Sequence, residues 1–187
     1  MRLLISGGPG SGCTSTASAV GATLHLPVFD SDSFFHKPTD PPFQQQYPPD
    51  ERRGLLRSAL ATEDTWILSG SIATWGLSNF TATHGVFLET PGDERLTRLE
   101  HRQRAKFGSR INREGDMAEE HRSFLAWAAA YVSRTGPGRN LTTDRAFLET
   151  RCHRFITIRD VAPFQEVVAR VLEFLSEPAD DTREKRQ

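Results

Sequence analysis

Residues 3–16 read LLISGGPGSGCTST. Leu3 to Ile5 form a short apolar run of the kind that makes a buried strand. A glycine-rich turn follows, and a helical stretch then runs from Thr14 to Leu24. Gly7 and Gly12 stand at the two glycine positions of a Gly-x-x-x-x-Gly phosphate-binding loop, and Thr14 stands at its Ser/Thr position. Glycines let the backbone fold tightly, so that successive N–H groups converge on anionic oxygens. The helix behind them adds the positive end of its dipole. One position departs from the motif: Cys13 stands where lysine is expected.

The chain downstream alternates short apolar runs with longer amphipathic ones. Leu26 to Phe29 reads as a second strand and ends in Asp30, Ser31 and Asp32. Trp66 to Leu68, Val86 to Leu88 and Phe155 to Ile158 read as strands three to five. Helices are expected from Pro49, from Thr90-Pro91 to about Arg104, over Met117 to Val132, over Thr143 to Cys152, and over Pro163 to Leu175. Thr90 is read as an N-cap, and Phe164 as part of the last helix's buried stripe. Five short strands separated by helices give an α/β domain whose parallel sheet is covered on both faces. Residues 33–54 carry five prolines, Pro38, Pro41, Pro42, Pro48 and Pro49, together with Phe34, Phe35, Phe43 and Tyr47. Proline forbids a long helix there and the aromatics argue against disorder, so an ordered lobe is expected. The polar tail 177–187 is expected to be frayed.

Composition excludes several classes. The chain has 187 residues, a formal net charge of −1, and 37% apolar and 25% charged residues. This is not the basic surface of a nucleic-acid binder, and its apolar runs are too short to span a membrane. The chain enters its first strand without a charged region and apolar core of a secretory leader, so a cytoplasmic protein is expected. Two cysteines, Cys13 and Cys152, lie far apart in no metal spacing. Trp66 and Trp127 are read as core. Trp75, after the third strand, is read as a substrate contact.

The loop at residues 7–15, with its aspartate pair Asp30 and Asp32, resembles the nucleoside-monophosphate and shikimate kinase group. Ser69, Gly70 and Ser71 after strand three resemble that group's acceptor-binding turn. Arg95, Arg98, Arg102, Arg104 and Arg110 resemble its helix running into an arginine-bearing lid. More narrowly, residues 30–32, 38–43, 68–71 and 104–111 are similar to bacterial proteins labelled adenylate-kinase-related ATPases. The resemblance implies a P-loop NTPase three-layer fold, with a five-stranded parallel sheet of order 2-3-1-4-5 and a mobile lid. It implies a single domain over residues 1–176, an acceptor-side lobe at 33–54 and a lid at 104–116. It further implies ATP (or another nucleoside triphosphate) and Mg2+ as cofactors. Gly7, Gly8, Pro9, Gly10, Ser11, Gly12, Cys13, Thr14 and Ser15 would wrap the phosphates, with Thr14 and Asp30 serving the metal. Asp32 would face the acceptor hydroxyl, beside Gly70, Ser71 and Trp75. Arg104 or Arg110 would stabilise the transferring phosphoryl group, with Arg104, Lys106 and Arg110 the candidates to replace the loop lysine's charge, and Arg159 with the residues after it would lie against the base. The partner implied is a small-molecule acceptor, with no nucleic acid and no membrane, for a monomer or homodimer.

Three functions therefore stand open. The first is an ATP-dependent phosphotransferase. The second is a catalytically degenerate nucleotide sensor or partner module. The third is a binder of some other phosphate ligand. Other readings of the same residues also stand: Asp30 and Asp32 as turn formers, the arginines as a solvated helix face, and Cys13 as a redox sensor if exposed.

Overall fold

The computed structural model describes residues 1–40, 42–159 and 163–178. Among these, five strands form one parallel sheet: β1 (Arg2–Gly7), β2 (Val28–Asp30), β3 (Trp66–Ser69), β4 (Ala82–Glu89) and β5 (Cys152–Arg159), in the order β2-β3-β1-β4-β5. Seven helices join them: α1 (Cys13–Leu24), α2 (Asp32–Phe35), α3 (Pro49–Ala61), α4 (Gly92–Phe107), α5 (Ala118–Ala129), α6 (Leu141–Arg151) and α7 (Phe164–Ser176). A 3₁₀ turn, Gly108–Ile111, continues α4.

The central strand explains the layering. Leu3, Leu4 and Ile5 are all fully buried, as a parallel strand covered on both faces requires. Leu3 and Ile5 pack with Ala17 and Val20 of α1 and with Val167, Val171 and Phe174 of α7. Leu4 faces the opposite way, toward Leu56 of α3, Leu148 of α6, Trp66, Leu68 and Phe87. Each such aliphatic side chain contributes about 1.5–3 kcal/mol on burial. The sheet therefore holds the C-terminal ends of β1, β2 and β3 side by side, and the loops of interest leave from those ends.

The strands and helices expected from sequence are present with shifted ends: β4 starts at Ala82, β2 covers Val28–Asp30, α5 covers only Ala118–Ala129, and Cys152, expected to end α6, instead starts β5. Four further expectations need correction. Thr90 is not the N-cap of α4; Pro91 holds that place and the helix starts at Gly92. The helix does not stop near Arg104 but runs to Phe107. Trp127 is 36% exposed rather than core. Phe164 is exposed, and Phe174 takes the buried place in α7.

Helix α2 is followed by an antiparallel bridge between His36 and Gln46, and Phe34 and Phe35 pack against the core on the Leu4 side of the sheet. From residue 179 onward the expected tail lies outside the described residues.

Candidate functional site

The loop between β1 and α1 has the geometry its sequence demands. Ser11 N–H donates to the Gly8 carbonyl at 3.0 Å, closing a tight turn. Gly10 has φ +85°, and a Cβ there would stand 2.4 Å from the Arg95 carbonyl oxygen, so only glycine fits. Gly12, also left-handed, is the N-cap of α1. No acidic side chain occupies the first turn of that helix, so nothing on α1 itself offsets the positive end of its dipole.

Thr14 and Asp30 come together although they lie on different elements. Thr14 Oγ1 donates to Asp30 Oδ2 at 3.0 Å, and the Asp32 N–H donates to Asp30 Oδ1 at 3.0 Å. Burial raises the Asp30 pKa above the usual carboxylate range, with the nearby Asp32 charge adding to it. A hydroxyl and a carboxylate at hydrogen-bond distance are hard oxygen donors suited to magnesium, which takes few protein ligands and completes six-fold coordination with phosphate and water. Among the described residues no cluster of three or more metal-ligating side chains exists. The pair therefore fits a cation shared with a phosphate ligand better than a resident structural metal. Asp32 begins α2 with its side chain exposed.

The turn after β3 is built for support. A Cβ on Gly70 (φ +99°) would lie 2.0 Å from Ser31 Oγ, so glycine lets the acidic turn press against the end of β3. Ser71 does not offer its hydroxyl to the open site, as expected, but donates it to Asp144 Oδ1 at 2.6 Å. Trp75 likewise is no surface contact. It is 3% exposed and packs against Phe35, with the Arg52 guanidinium 5.3 Å from its ring centroid. These residues shape the site from behind.

Several arginines meet the loop, and Arg104 and Arg110 are not among them. Arg95 is 1% exposed; its Nη1 donates to the Pro9 carbonyl at 3.0 Å, and it packs on the Tyr131 ring. Arg139 Nη2 donates to the Gly7 carbonyl at 3.1 Å, and its Nε faces Asp144 Oδ2 at 3.3 Å. Asp144, wholly buried, also accepts from Tyr131 Oη at 2.9 Å. Burial, then the Asp144 charge, push the Tyr131 phenol well above its ordinary range. Arg98 Nη1 lies 3.8 Å from where a Gly12 Cβ would be.

Arg104 and Arg110, the expected charge donors, stand elsewhere. Arg104 is exposed in the last turn of α4. Arg110 is engaged by two carboxylates: its Nη2 donates to Asp116 Oδ2 at 2.7 Å and its Nη1 to Asp40 Oδ1 at 3.0 Å. The Asp116 and Asp40 bonds hold its pKa above the arginine norm. The Asp40 contact ties the 104–116 segment to the lobe, as does Lys106 over the Phe43 ring. Arg159 is largely exposed at the end of β5, beside Glu89; the residues after it, 160–162, lie outside the described ones.

Cys13 is buried. Burial drives its thiol pKa up to about 11, against a hydrogen bond shared with Ser11 Oγ at 3.2 Å and the Arg139 charge, which pull it down. A thiol so placed is inert, so the redox reading falls. On the outer side of the loop, a cavity of about 270 Å³ is bordered by Ser11, Gly12, Ser15, Thr16, Arg98, Phe164 and Val167. That is close to the ~300 Å³ lower bound for small-molecule pockets.

No protein-family model matches the chain. The uncharacterized protein YqaC of Bacillus subtilis (strain 168) is 30% identical over 175 residues, covering 92% of this chain and 96% of that protein. Deoxyadenosine kinase from M. mycoides, solved with bound dATP, shares the fold with a TM-score of 0.57 at 10% identity, over 95% of this chain and 100% of its own. Shikimate kinase from Bacteroides thetaiotaomicron has a TM-score of 0.53 at 19% identity, over 95% and 99%. The strand order and these likenesses give the chain a P-loop kinase-like α/β fold. No helix among the described residues is long and apolar enough to cross a membrane.

Proposed function

The chain belongs to the family of the Bacillus subtilis protein YqaC, and we propose that it is an ATP- and magnesium-dependent phosphotransferase acting on a small hydroxyl-bearing acceptor. The observation that carries this reading is the Thr14–Asp30 hydrogen bond at the head of a glycine-loop helix, with Asp32 two residues beyond Asp30 and bonded to it through its N–H. A protein that merely held phosphate would need the loop alone. The likeness to two nucleotide-fold kinases agrees with the reading.

In this proposal the loop N–H groups receive the β- and γ-phosphates. Thr14 and Asp30 would hold magnesium, which when bound would draw charge from the phosphate oxygens. The cavity beside Gly12 receives the base, with Arg98 along one side and Phe164 at its rim. Asp32, exposed beside Asp30, accepts the proton of the acceptor hydroxyl or orients it. Residues 33–54 form the acceptor side and 104–116 the lid, already in contact through Asp40 and Arg110.

The test is calorimetric titration with magnesium-ATP, followed by ADP release across a panel of hydroxylated acceptors, for the wild-type chain and Asp32→Asn. Acceptor-dependent ADP release that Asp32→Asn reduces by roughly a hundredfold supports the proposal. Tight binding with no turnover on any acceptor, unchanged by Asp32→Asn, turns the assignment to the catalytically degenerate binder.

A further inference from the structure

The loop lacks the lysine that would place a point charge near the β/γ oxygens, and Cys13 in its place is uncharged and buried. Several arginines among the described residues approach the loop or the segments above it, and geometry separates them. Arg102 is exposed on α4 and its charge pulls the Asp30 pKa down. Arg95 is interior, its Nη1 spent on the Pro9 and Ala128 carbonyls. Arg98 lies on the outer side, over Gly12 and beside the cavity, next to Glu94. Arg104 is exposed at the far end of α4. Arg110 is engaged by Asp116 and Asp40.

Arg139 differs from all of these. It reaches the loop's first glycine, Gly7, from the N-terminal end of α6, between the end of β1 and the turn that carries Ser71. Its carbonyl accepts from Arg134 Nη1 at 2.8 Å, and the next residue, Asn140, caps α6, its Oδ1 accepting the Thr143 N–H at 2.9 Å and its Nδ2 donating to the Gly136 and Gly138 carbonyls. Its Nε points to Asp144, and Asp144 is fixed in turn by Ser71 and Tyr131. Nη2 of the same guanidinium reaches the loop, and the guanidinium carbon lies 5.6 Å from the Trp127 ring centroid. Nη1 has no hydrogen-bond partner among the described residues, and the side chain as a whole is 25% exposed. The Arg139 charge is also felt at the Cys13 thiol, the very place the lysine would leave from.

We propose that Arg139 replaces the missing lysine as the fixed positive charge facing the phosphates on this loop. The proposal rests on the nucleotide-binding reading above and assigns one residue within it. Asp144 orients the guanidinium through Nε and the Gly7 carbonyl holds Nη2, which leaves Nη1 to meet an oxyanion with the side chain already in place.

Arg139→Gln and Arg139→Lys test it, with binding of magnesium-ATP and of AMP measured by calorimetry and folding checked by thermal melting. Glutamine keeps a donor but loses the charge; lysine keeps the charge. Arg139→Gln is expected to weaken magnesium-ATP on the order of tenfold to a hundredfold. AMP binding should stay within about twofold, since the charge acts on the distal phosphates. Arg139→Lys should recover most of the loss. Wild-type ATP affinity in Arg139→Gln, an equal loss for ATP and AMP, or no recovery with lysine would each overturn the assignment while leaving the nucleotide reading intact. Failure of the wild-type chain to bind ATP at all would overturn both.

Discussion

Removing Asp144 should unsettle the protein more than removing any exposed carboxylate. Its side chain is fully buried and accepts from Ser71 at 2.6 Å, Tyr131 at 2.9 Å and Arg139 at 3.3 Å. Asp144→Ala leaves all three donors without their acceptor. The Tyr131 hydroxyl, itself buried, loses its partner at a cost of about 1–3 kcal/mol. Arg139 loses its counter-charge, but a quarter of it remains exposed, so solvent offsets part of that loss. Breaking a buried pair costs about 3–5 kcal/mol, and the exposure of Arg139 places this case near the lower end. For a chain of this size about 3 kcal/mol corresponds to a fall in Tm of roughly 6–12 °C. Urea unfolding and calorimetric melting of Asp144→Ala, Tyr131→Phe and the double variant measure it. The double variant should fall short of the sum by roughly 0.5–3 kcal/mol, because the two residues share one hydrogen bond. A loss below about 1 kcal/mol for Asp144→Ala, or strict additivity, would refute the view that this network fixes the loop.

Asp30→Asn should stabilise the ligand-free protein at neutral pH. A carboxyl whose folded pKa is raised favours folding fully only below its unfolded value, about 3.9, and that contribution is lost as pH rises through the folded value. The gain from Asp30→Asn should therefore be present at pH 7 and vanish below about pH 4; melting curves at both pH values check it, and the same variant should lose the magnesium dependence of ATP binding. Both thiols should resist an aromatic disulfide reagent at pH 8 in the native protein, since burial lifts Cys13 to about 11 and Cys152 to about 12. Two thiols should react once the chain is unfolded in denaturant; a fast native reaction of either would restore a redox role.

The loop itself was legible because its instructions are local: a strand, two spaced glycines and a threonine within a dozen residues. The acidic turn was legible for the same reason, since Asp30 ends a strand and Thr14 opens the neighbouring helix. What supports them is not local. Arg95 reads as one more cation on a charged helix, yet it is four residues before Leu99 and shares that buried side chain's inward face. Asp144 stands in the same relation to Leu148. In both helices a charge falls on the apolar stripe, and that is the signal that could have marked them. Nothing comparable marks Arg139, which lies between two glycines and a helix cap; only the fold brings it to Gly7 across 132 residues of sequence. Trp75 and Ser71 lie in the expected turn but face the interior, because sequence order says where a residue leaves the sheet and not which way it faces.

The two buried-side arginines also bear on why a cysteine is tolerated in the loop. A lysine at position 13 brings its charge on a flexible stem and must be ordered when ligand binds. Arg95 and Arg139 instead grip the Pro9 and Gly7 carbonyls, each from a different helix, α4 in one case and the start of α6 in the other. The loop is thereby braced at two points before any ligand arrives, and its positive surroundings come from groups outside it. Under that arrangement position 13 needs only to be small and apolar enough to sit among Leu3, Ile5 and Ala17, which a thiol does. A lysine there would meet a cation already in place. Cys13→Lys in the wild-type background should accordingly leave ATP affinity unimproved, whereas in Arg139→Gln it should restore binding. Equal gains in both backgrounds would show that the two charges occupy different places, and the exchange of lysine for arginine would have to be abandoned.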